Sequence, residues 1–543
     1  MHLYADKRES GTYYKIRESF RDEHGRTKVR NVLYLGNVEK IFERFSRPVA
    51  ENAELETVSF GPAAALRWAF EDLGLDKLFT ELLDPEEEHD FPAWKKVYLL
   101  VWRRFLQKMS IRKAVERYGK QIFPFWWREK ITTVQRLYQF LGEGLGEGKV
   151  KKTQEDLARR SIAGDGVEEC YFDTTDYYTY VEDDTKYLRI GRSKEGVVGR
   201  RLVGLALALS DRGVPVLGEA YPGNRNDVKL FSGLFRRVCE RLEVAGTDLE
   251  EVTLVFDRGF DGKDNFDLAW KSPPHVVAAV KRNRKTVREV MDSVELEEFQ
   301  KSYETSYGEC YVYDGGKVDI GNHSWRVVLS YHDSTREKVR EKMDEQKGEA
   351  EEVLSESLDR LEKGGPGRPP TENSVRKKLE KVLGKRYHCL NWSLDPEAKE
   401  LDWGWSEEWD RKYELAGVLP IVTDQSNWTS GRVAKIYFQR NDIEEMFHLT
   451  KKALIVPVEP PYVKEDHLIR AHLFLVFTGL LCYQHIKRKL PNTMTDDEIK
   501  SAMKELNMVI ATEDETLQFK LANVNEETRP LLKSMNLEKY LPE

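Results

Sequence analysis

The sequence predicts an α/β fold in which one mixed sheet with flanking helices is interrupted by a long insertion. Apolar runs rich in strand-forming residues alternate with helical stretches over residues 166–290, which we interpret as the first part of this core. Residues 291–430 mix strands with charged helices and form the insertion, and residues 431–543 return to helical patterns as the second part of the core. Residues 1–50 predict a β-hairpin region, and residues 51–165 predict a helical region.

The first three core strands are predicted at Glu169–Tyr180, Leu202–Ser210 and Val214–Ala220. Asp211-Arg212-Gly213 supplies a tight turn between the second and third strands. Three strands separated by short turns form an antiparallel meander, so the core is expected to begin with one.

Alternating helix and strand follow the meander. A helix is predicted over Asp227–Leu242, then a buried strand at Val252–Phe256 and a further strand at His275–Val280. A meander followed by this alternation is the order of an RNase H-like core, a mixed five-stranded sheet with flanking helices. The fold class predicted is therefore an RNase H-like α/β core carrying an insertion.

The N-terminal regions are predicted from turn signals and charge. Tyr13–Phe20 and Thr27–Leu35 are rich in strand formers, and His24-Gly25 supplies the turn of a hairpin. Residues 101–130 carry nine Lys or Arg against two Glu, a local charge of +7, interleaved with aromatic residues. Clustered cations bind DNA by releasing phosphate counterions, which makes residues 51–165 a predicted DNA-binding domain. An amphipathic helix pair with an aromatic core explains the same pattern equally well.

Bulk composition restricts the class of protein. Of the 543 residues, 33% are charged, and the net charge of −8 argues mildly against nucleic-acid binding by the chain as a whole. The most apolar run, Leu473–Ile486, is too short to span a bilayer, so no membrane partner is expected. The five cysteines include no CxxC pair, which indicates a reducing, cytoplasmic setting. His388-Cys389 has no partner at ligand spacing and is interpreted as structural.

A predicted helix over Gly431–Leu454 carries the strongest functional pattern. It contains Tyr437, Arg440, Glu444 and Lys451, with the spacing Y-x2-R-x3-E-x6-K. At roughly 100° per residue these four side chains share an arc of about 60° on one face. Taken alone, the pattern fits an ordinary surface helix with an i,i+4 ion pair.

Two aspartates in the predicted sheet strengthen this pattern. Asp257 follows the buried strand Val252–Phe256, and the carboxyl ends of strands are where open α/β sheets place their ligands. Asp173 lies inside the first strand, where a charge between large apolar residues is costly unless it is paired or bound to metal. Asp176 is the alternative for the role of Asp173. A helix N-cap for Asp257 and a solvent-facing edge position for Asp173 remain open.

These segments together resemble an insertion-sequence DDE transposase of the group that carries a Y-R-E-K signature helix. Tyr437, Arg440, Glu444 and Lys451 match the signature at every spacing, while Ala471 stands where the family's next helix has Gly. Three further segments are similar to the first-Asp strand, the second-Asp motif and the N-terminal hairpin of one branch of the family: Phe172-Asp173-Thr174-Thr175, Val255-Phe256-Asp257-Arg258-Gly259 and Tyr34-Leu35-Gly36.

The resemblance implies a cytoplasmic, nucleoid-associated prokaryotic enzyme of a mobile element. Its catalytic and metal-binding residues are Asp173, Asp257 and Glu444, holding two Mg²⁺ ions or Mn²⁺ in their place. Oxygen ligands suit these hard cations, which clamp the attacking and leaving oxygens of a phosphodiester. Tyr437, Arg440 and Lys451 support the site and hold DNA phosphates. The implied partners are double-stranded DNA, both terminal inverted repeats and target, and a second copy of the chain in a synaptic dimer.

Three other functions remain open. The chain could be a transposase-derived DNA-binding protein without catalysis, or an RNase H-like nuclease without strand transfer. An interaction protein built on the charged helices of residues 334–384 is a further alternative, although their apolar spacing is irregular for a coiled coil. Basic residues after the first strand, and again after the last, are expected to contact DNA backbone or to be solvated loop charges: Arg189, Arg192, Lys194, Arg200, Arg201, Lys281, Arg282, Arg284, Lys285 and Arg288.

Overall fold

The structure is a computed structural model that describes most of the chain. The described residues are 2–8, 11–21, 27–37, 54–83, 91–128, 131–162, 166–305, 308–364, 369–451, 455–456, 458, 463–513 and 516–542. The chain divides into two compact units, of which the larger comprises residues 69–115 and 131–488. The smaller unit comprises residues 1–68, 116–130 and 489–543.

Eighteen strands lie in the described part of the chain. They are β1 His2–Arg8, β2 Gly11–Arg21, β3 Thr27–Asn37, β4 Glu54–Ser59, β5 Glu169–Thr179, β6 Arg189–Ile190, β7 Arg201–Ser210, β8 Pro215–Pro222, β9 Thr253–Phe256, β10 His275–Ala279, β11 Gln300–Thr305, β12 Gly308–Ile320, β13 His323–His332, β14 Leu390–Asp395, β15 Glu400–Trp405, β16 Leu419–Thr423, β17 Asn507–Glu513 and β18 Thr516–Ala522.

The same described ranges contain eighteen α-helices. They are α1 Gly61–Asp72, α2 Leu75–Leu83, α3 Ala93–Trp102, α4 Ile111–Tyr118, α5 Phe123–Trp127, α6 Val134–Gln139, α7 Glu147–Ile162, α8 Asp227–Val244, α9 Lys263–Trp270, α10 Lys285–Ser293, α11 Asp333–Lys363, α12 Glu372–Leu383, α13 Glu407–Glu414, α14 Ser430–Gln439, α15 Asn441–Lys451, α16 Asp466–Lys487, α17 Asp496–Glu505 and α18 Arg529–Met535.

The larger unit is built on one mixed sheet, so the predicted mixed α/β class is confirmed. Its strand order is β11-β12-β13-β16-β10-β9-β5-β7-β6, with β8 also paired to β7. Strands β5, β7 and β8 form the antiparallel meander that the sequence predicts, and the parallel strands β9 and β10 follow on the other side of β5. The turn between β7 and β8 contains Gly213 at a φ of 68°, a conformation that favours glycine.

The sheet has ten strands, and the prediction of five strands was wrong in number. Four strands of residues 291–430 continue the sheet beyond β10, because β16 pairs antiparallel with both β10 and β13. A strand at an open edge presents unpaired backbone groups, and the inserted strands satisfy those of β10. The insertion therefore contributes to the same sheet as the core strands.

Successive residues of β5 face opposite sides of the sheet and enter different cores. Phe172 packs with Phe231, Phe256 and Phe260 at ring-centroid distances of 5.8, 5.3 and 5.2 Å. Tyr171, one residue earlier, belongs to the opposite core, which α14 covers with apolar side chains. Burying a phenylalanine side chain contributes roughly 1.5–3 kcal/mol. Both faces of β5 are thus anchored next to Asp173.

Part of the insertion has its own small core. Helices α11 and α12 pack on the hairpin of β14 and β15 and on α13, and their shared core contains Leu354, Leu379, Cys389, Leu401 and Trp409. A capping box at Thr371 fixes the start of α12. This subdomain is called the helical insert below.

The smaller unit contains two three-stranded sheets. The predicted hairpin is present as β2 and β3, with β1 added on the outer side of β2, while the predicted His24-Gly25 turn lies outside the described residues. The second sheet has the order β18-β17-β4. Its strands lie in the segments 51–165 and 431–543, where the sequence predicts helices alone, so that expectation was wrong here. Strand β4 pairs with β17 across more than 400 residues of chain, a partnership that local patterns do not encode.

Within the described ranges, none of the helices combines the length and the apolar character that crossing a bilayer requires.

Candidate functional site

Asp173 and Asp257 occupy equivalent positions along the neighbouring parallel strands β5 and β9. Phe172 of β5 is in register with Phe256 of β9, and each aspartate is the next residue along its strand direction. Burial raises the pKa of Asp173, and the Asp257 carboxylate raises it further, as expected for neighbouring like charges. The structure therefore brings these two predicted site residues together.

The predicted helix over Gly431–Leu454 is two helices, α14 and α15, and the expectation of one continuous helix was wrong. The break falls at Arg440, whose N–H bonds to the Tyr437 carbonyl, while the N–H of Ile443 bonds to the Arg440 carbonyl. These bonds span three residues instead of four, so the chain tightens locally into a 3₁₀ turn. Residues 452–454 lie outside the described part of the chain.

Arg440 links two of the three predicted acids. Its Nη1 donates to Asp173 Oδ2 at 3.0 Å, and its Nη2 donates to Glu444 Oε1 at 2.7 Å. The Arg440 side chain is only 9% exposed, whereas that of Glu444 is 58% exposed. A buried guanidinium needs nearby anions, and this pairing places Glu444 on the same side of Arg440 as the sheet aspartate.

Tyr437 holds the third acid. Its hydroxyl donates to Asp257 Oδ1 at 3.1 Å. Burial raises the pKa of this tyrosine, so the hydroxyl keeps its proton and remains a donor. Tyr437 and Arg440 therefore orient the three predicted acids from one short stretch of chain.

Asp173 is the electrostatically strained member of the group. Burial raises the pKa of Asp173 to about 6, against the opposing influence of Lys194 and Arg440. The Thr174 N–H also donates to its Oδ1 at 2.7 Å. These partners leave the carboxylate incompletely compensated, so additional positive charge at this position is favourable.

The donor chemistry of the three acids fits a hard divalent cation, since all three offer carboxylate oxygens. Their oxygens do not converge as a ready-made ion cluster, however. In the described part of the chain, only His388, Cys389 and Glu408 form a group whose ligand atoms all lie within 4.8 Å of one another. Between Asp173 and Glu444 the arrangement instead contains the positive charge of Arg440. Glu444 is the exposed member of the trio and so the one with most freedom to turn.

Lys451 and Asp176 lie apart from this group. Lys451 forms an ion pair with Glu195 at 2.7 Å and is not paired with any of the three acids. Asp176 accepts hydrogen bonds from Ser193 Oγ at 3.1 Å and from the Lys194 N–H at 2.9 Å. Lys451 and Asp176 thus both hold the loop at residues 193–195 against the site.

Sequence reasoning missed Asp227 as a neighbour of the site. Its Oδ1 accepts from Thr174 Oγ1 at 2.5 Å, and its Oδ2 lies 3.1 Å from Lys194 Nζ. A Cβ added to Gly259, two residues after Asp257, would lie 2.8 Å from Asp227 Oδ2. The sequence signal for Asp227 was only its position behind the N-cap Asn226 at the start of α8.

Many of the basic residues after the strands pair inside the protein. Arg189 and Arg201 both pair with Asp184, and Arg284 pairs with the buried Asp261. Paired cations can still contact phosphate, and their role in DNA binding stays a prediction.

The basic segment 101–130 has a more buried character than its charge suggests. Arg103 and Arg104 are buried, and burial lowers the pKa of Arg103 to about 10. Most of the interleaved aromatic residues are core residues, namely Trp102, Phe105, Tyr118, Phe123 and Trp127. The aromatic pattern therefore reflects packing, which was the structural alternative for this segment.

Comparisons with known proteins give distant structural similarity and no sequence match. No protein-family model matches the sequence, and no curated protein matches it. Among solved structures, the chain is similar to piggyBac transposase in a cryo-EM synaptic complex with hairpin DNA. The TM-score is 0.33 with 10% sequence identity, over 83% of this chain and 82% of that chain. The function of the chain is therefore inferred from the residues of the site.

Proposed function

We propose that the protein is a DDE transposase that cleaves DNA at the ends of a mobile element and transfers the freed strands to target DNA. The observation that carries the proposal is that Tyr437 and Arg440, three residues apart, contact acids from three segments of the chain: Tyr437 bonds Asp257, and Arg440 bonds Asp173 and Glu444. Carboxylates at the carboxyl end of a sheet strand, backed by a basic residue, suit chemistry on an anionic phosphodiester.

The strand order supports an RNase H-like core for this enzyme. Five neighbouring strands of the sheet have the order β8-β7-β5-β9-β10. Strand β7 is antiparallel to both β8 and β5, whereas β9 is parallel to β5 and β10 is parallel to β9. Along the chain these strands occur as the meander followed by alternating helix and strand that the sequence predicts for such a core. The inserted strands extend beyond β10, so β5, which contains Asp173, and β9, which Asp257 follows, lie inside the sheet and not at its edge.

The proposed roles follow from chemistry and contacts. Asp173, Asp257 and Glu444 would hold two Mg²⁺ ions, which supply charge neutralisation and a bound water of lowered pKa. Tyr437 keeps the Asp257 carboxylate in one orientation through its hydroxyl. Arg440 compensates Asp173 and Glu444 in the absence of DNA, and its guanidinium is suited to a phosphate oxygen when DNA is present.

The proposed partners are DNA and a second copy of the chain. The DNA would comprise terminal inverted repeats and a target duplex, with two chains needed to bring two ends together. Lys194 lies in the loop at residues 193–195 and Lys451 pairs with Glu195 of the same loop, and both offer positive charge for the DNA backbone. This part of the proposal depends on the family resemblance of the signature helix.

The decisive experiment is cleavage of a DNA fragment that carries the inverted repeats flanking the gene. We expect the purified wild-type chain to nick this DNA with Mg²⁺ and Asp257→Asn to lose cutting while binding the ends with unchanged affinity. Asp264→Asn is the matched control, because Asp264 is an exposed acid a few residues further on. Equal cutting by wild type and Asp257→Asn would overturn the assigned site.

A second assay distinguishes transposition from two alternatives, a nuclease without strand transfer and a DNA-binding protein without catalysis. Pre-cleaved ends with free 3′-OH groups are incubated with a target plasmid, and joined products are measured. Joining that depends on Asp257 supports transposition, whereas cutting without joining indicates an RNase H-like nuclease. Binding of the ends without either reaction indicates a DNA-binding protein without catalysis.

A further inference from the structure

The helical insert contains a cluster of metal-ligand side chains that includes none of the three acids of the candidate site. His388 Nε2, Cys389 Sγ and a Glu408 carboxylate oxygen all lie within 4.8 Å of one another, and His388 Nε2 is 3.2 Å from Glu408 Oε1. His388 and Cys389 end the 3₁₀ turn Gly384–Cys389, and Glu408 lies in the first turn of α13. The structure thus supplies the partner that the sequence did not reveal.

A cation of the protein occupies the point where these three atoms converge. The Lys412 ammonium lies 2.7 Å from His388 Nε2, 3.0 Å from Glu408 Oε1 and 3.4 Å from Cys389 Sγ. The three ligand atoms therefore already surround a positive charge. The ammonium marks the place that a metal ion would take.

We propose that His388, Cys389 and Glu408 form a binding site for a divalent transition-metal ion, of which Zn²⁺ is the best match. Imidazole nitrogen, thiolate sulfur and carboxylate oxygen are the ligands that Zn²⁺ selects, whereas Mg²⁺ prefers oxygen alone. The side chains of His388 and Glu408 are 53% and 47% exposed, so the ion has an entry path and a solvent molecule completes a tetrahedron.

Metal binding exchanges one cation for another. The Cys389 S–H bond breaks as the sulfur–zinc bond forms, and its proton passes to solvent. Lys412 keeps its charge and turns outward; its side chain is already 35% exposed. The ion then joins the segment ending at Cys389 to helix α13, which the backbone already links through the Ser406 N–H and the Cys389 carbonyl at 2.9 Å. The site is a clamp for the helical insert and is independent of the transposase proposal.

The test uses the full chain without a polyhistidine tag, loaded with Zn²⁺ or Co²⁺ and freed of excess by gel filtration. We expect one metal ion per chain by mass spectrometry, and a near-ultraviolet thiolate-to-cobalt absorption band. Cys389→Ser is expected to abolish the band, and Glu408→Gln to weaken zinc retention about tenfold. Cys239→Ser is the matched control, because Cys239 is another described cysteine of the same unit outside the cluster.

Lys412→Ala distinguishes a metal site from a simple ion-pair cluster. Removing the competing ammonium is expected to tighten zinc binding by up to about fivefold in competition with a chelator, since the exposed ion pair of Lys412 with Glu408 contributes about 0.2–1 kcal/mol. The proposal is overturned if Lys412→Ala retains no metal, or if Cys239→Ser instead of Cys389→Ser removes the cobalt band. Asp257→Asn is expected to leave zinc content unchanged, so failure of this site and failure of the catalytic proposal are separate results.

Discussion

Replacing Asp173 with asparagine is expected to stabilise the metal-free protein. Burial raises the pKa of Asp173 from 3.8 to about 6, and Lys194 and Arg440 offset the burial only in part. A pKa difference of roughly 2 corresponds to about 3 kcal/mol of folding free energy that is lost because this carboxylate is ionised at pH 7. A neutral side chain of the same shape avoids that cost.

The gain is smaller than this upper value because the amide loses one acceptor. Asp173 accepts from Arg440 Nη1 and from the Thr174 N–H, and asparagine can serve only one of these donors with its oxygen. The lost charge-assisted hydrogen bond costs about 1.5–3 kcal/mol. Arg440 keeps Glu444 as a partner, which limits the loss. We therefore expect a net stabilisation of about 1 kcal/mol at pH 7.

The pH dependence gives the sign of the effect. The folded pKa of Asp173 lies above its unfolded value, so the folded state binds the proton more tightly. The wild type therefore loses stability relative to Asp173→Asn as the pH rises from about 4 to about 6, and the difference is constant above that. We expect the urea midpoints of the two proteins, measured in EDTA between pH 4 and 8, to show this pH dependence. The midpoints are compared between wild type and variant and are not converted into absolute stabilities, because the chain has two units.

Asp176→Asn is the matched control, three residues further along β5. Its carboxylate accepts from Ser193 and Lys194, and losing one acceptor is expected to destabilise the protein by about 1 kcal/mol. Added Mg²⁺ is expected to stabilise the wild type and not Asp173→Asn, which also loses DNA cleavage. The reasoning is refuted if Asp173→Asn is as destabilised as Asp176→Asn in EDTA at pH 7.

Three further predictions concern the packing around the site. Burial, with Arg103 and Arg104 nearby, holds the pKa of His472 well below its usual value. The unfolded chain therefore takes up a proton that the folded chain does not, and the stability of the protein falls as the pH drops through about 6.5. His472→Gln is expected to remove this slope in urea midpoints between pH 5 and 8. Phe172→Ala is expected to cost about 3–5 kcal/mol by calorimetry or denaturation, with Phe172→Leu clearly milder, because the ring packs on three other phenylalanines. Gly259→Ala is expected to lower cleavage at least tenfold with DNA binding retained, because its Cβ would meet a carboxylate oxygen at 2.8 Å, whereas Gly148→Ala, at a helical position with open space, should leave cleavage unchanged.

The sequence predicted the central strands well because their signals are local. The apolar runs around Phe172 and Phe256 mark buried strands, and each places an aspartate at a defined end or face of the sheet. Glu444 was predicted as a site residue from helical spacing together with a family resemblance. The break at Arg440 was not predictable, since Arg440 also pairs with Asp173, a group that this stretch meets only in the folded chain.

The missed features all depend on partners that are distant in the sequence. Strand β10 gains β16 as a neighbour about 140 residues later, and β4 gains β17, so neither sheet can be counted from local patterns. Asp227 is recognisable in the sequence only as a helix-start residue. The partner of His388 and Cys389 lies on another element, α13, so the spacing rules for metal motifs did not apply.

The two acid-containing clusters of the larger unit share one physical arrangement. In each, a basic side chain lies between ligand-type groups from separate segments: Arg440 between Asp173 and Glu444, and Lys412 among His388, Cys389 and Glu408. Anionic ligands brought together by folding repel one another unless a cation accompanies them. A side-chain cation permits the chain to fold before metal arrives, and it must then compete with the metal. Metal affinity at both clusters is therefore expected to rise when the basic residue is removed, at the expense of stability without metal.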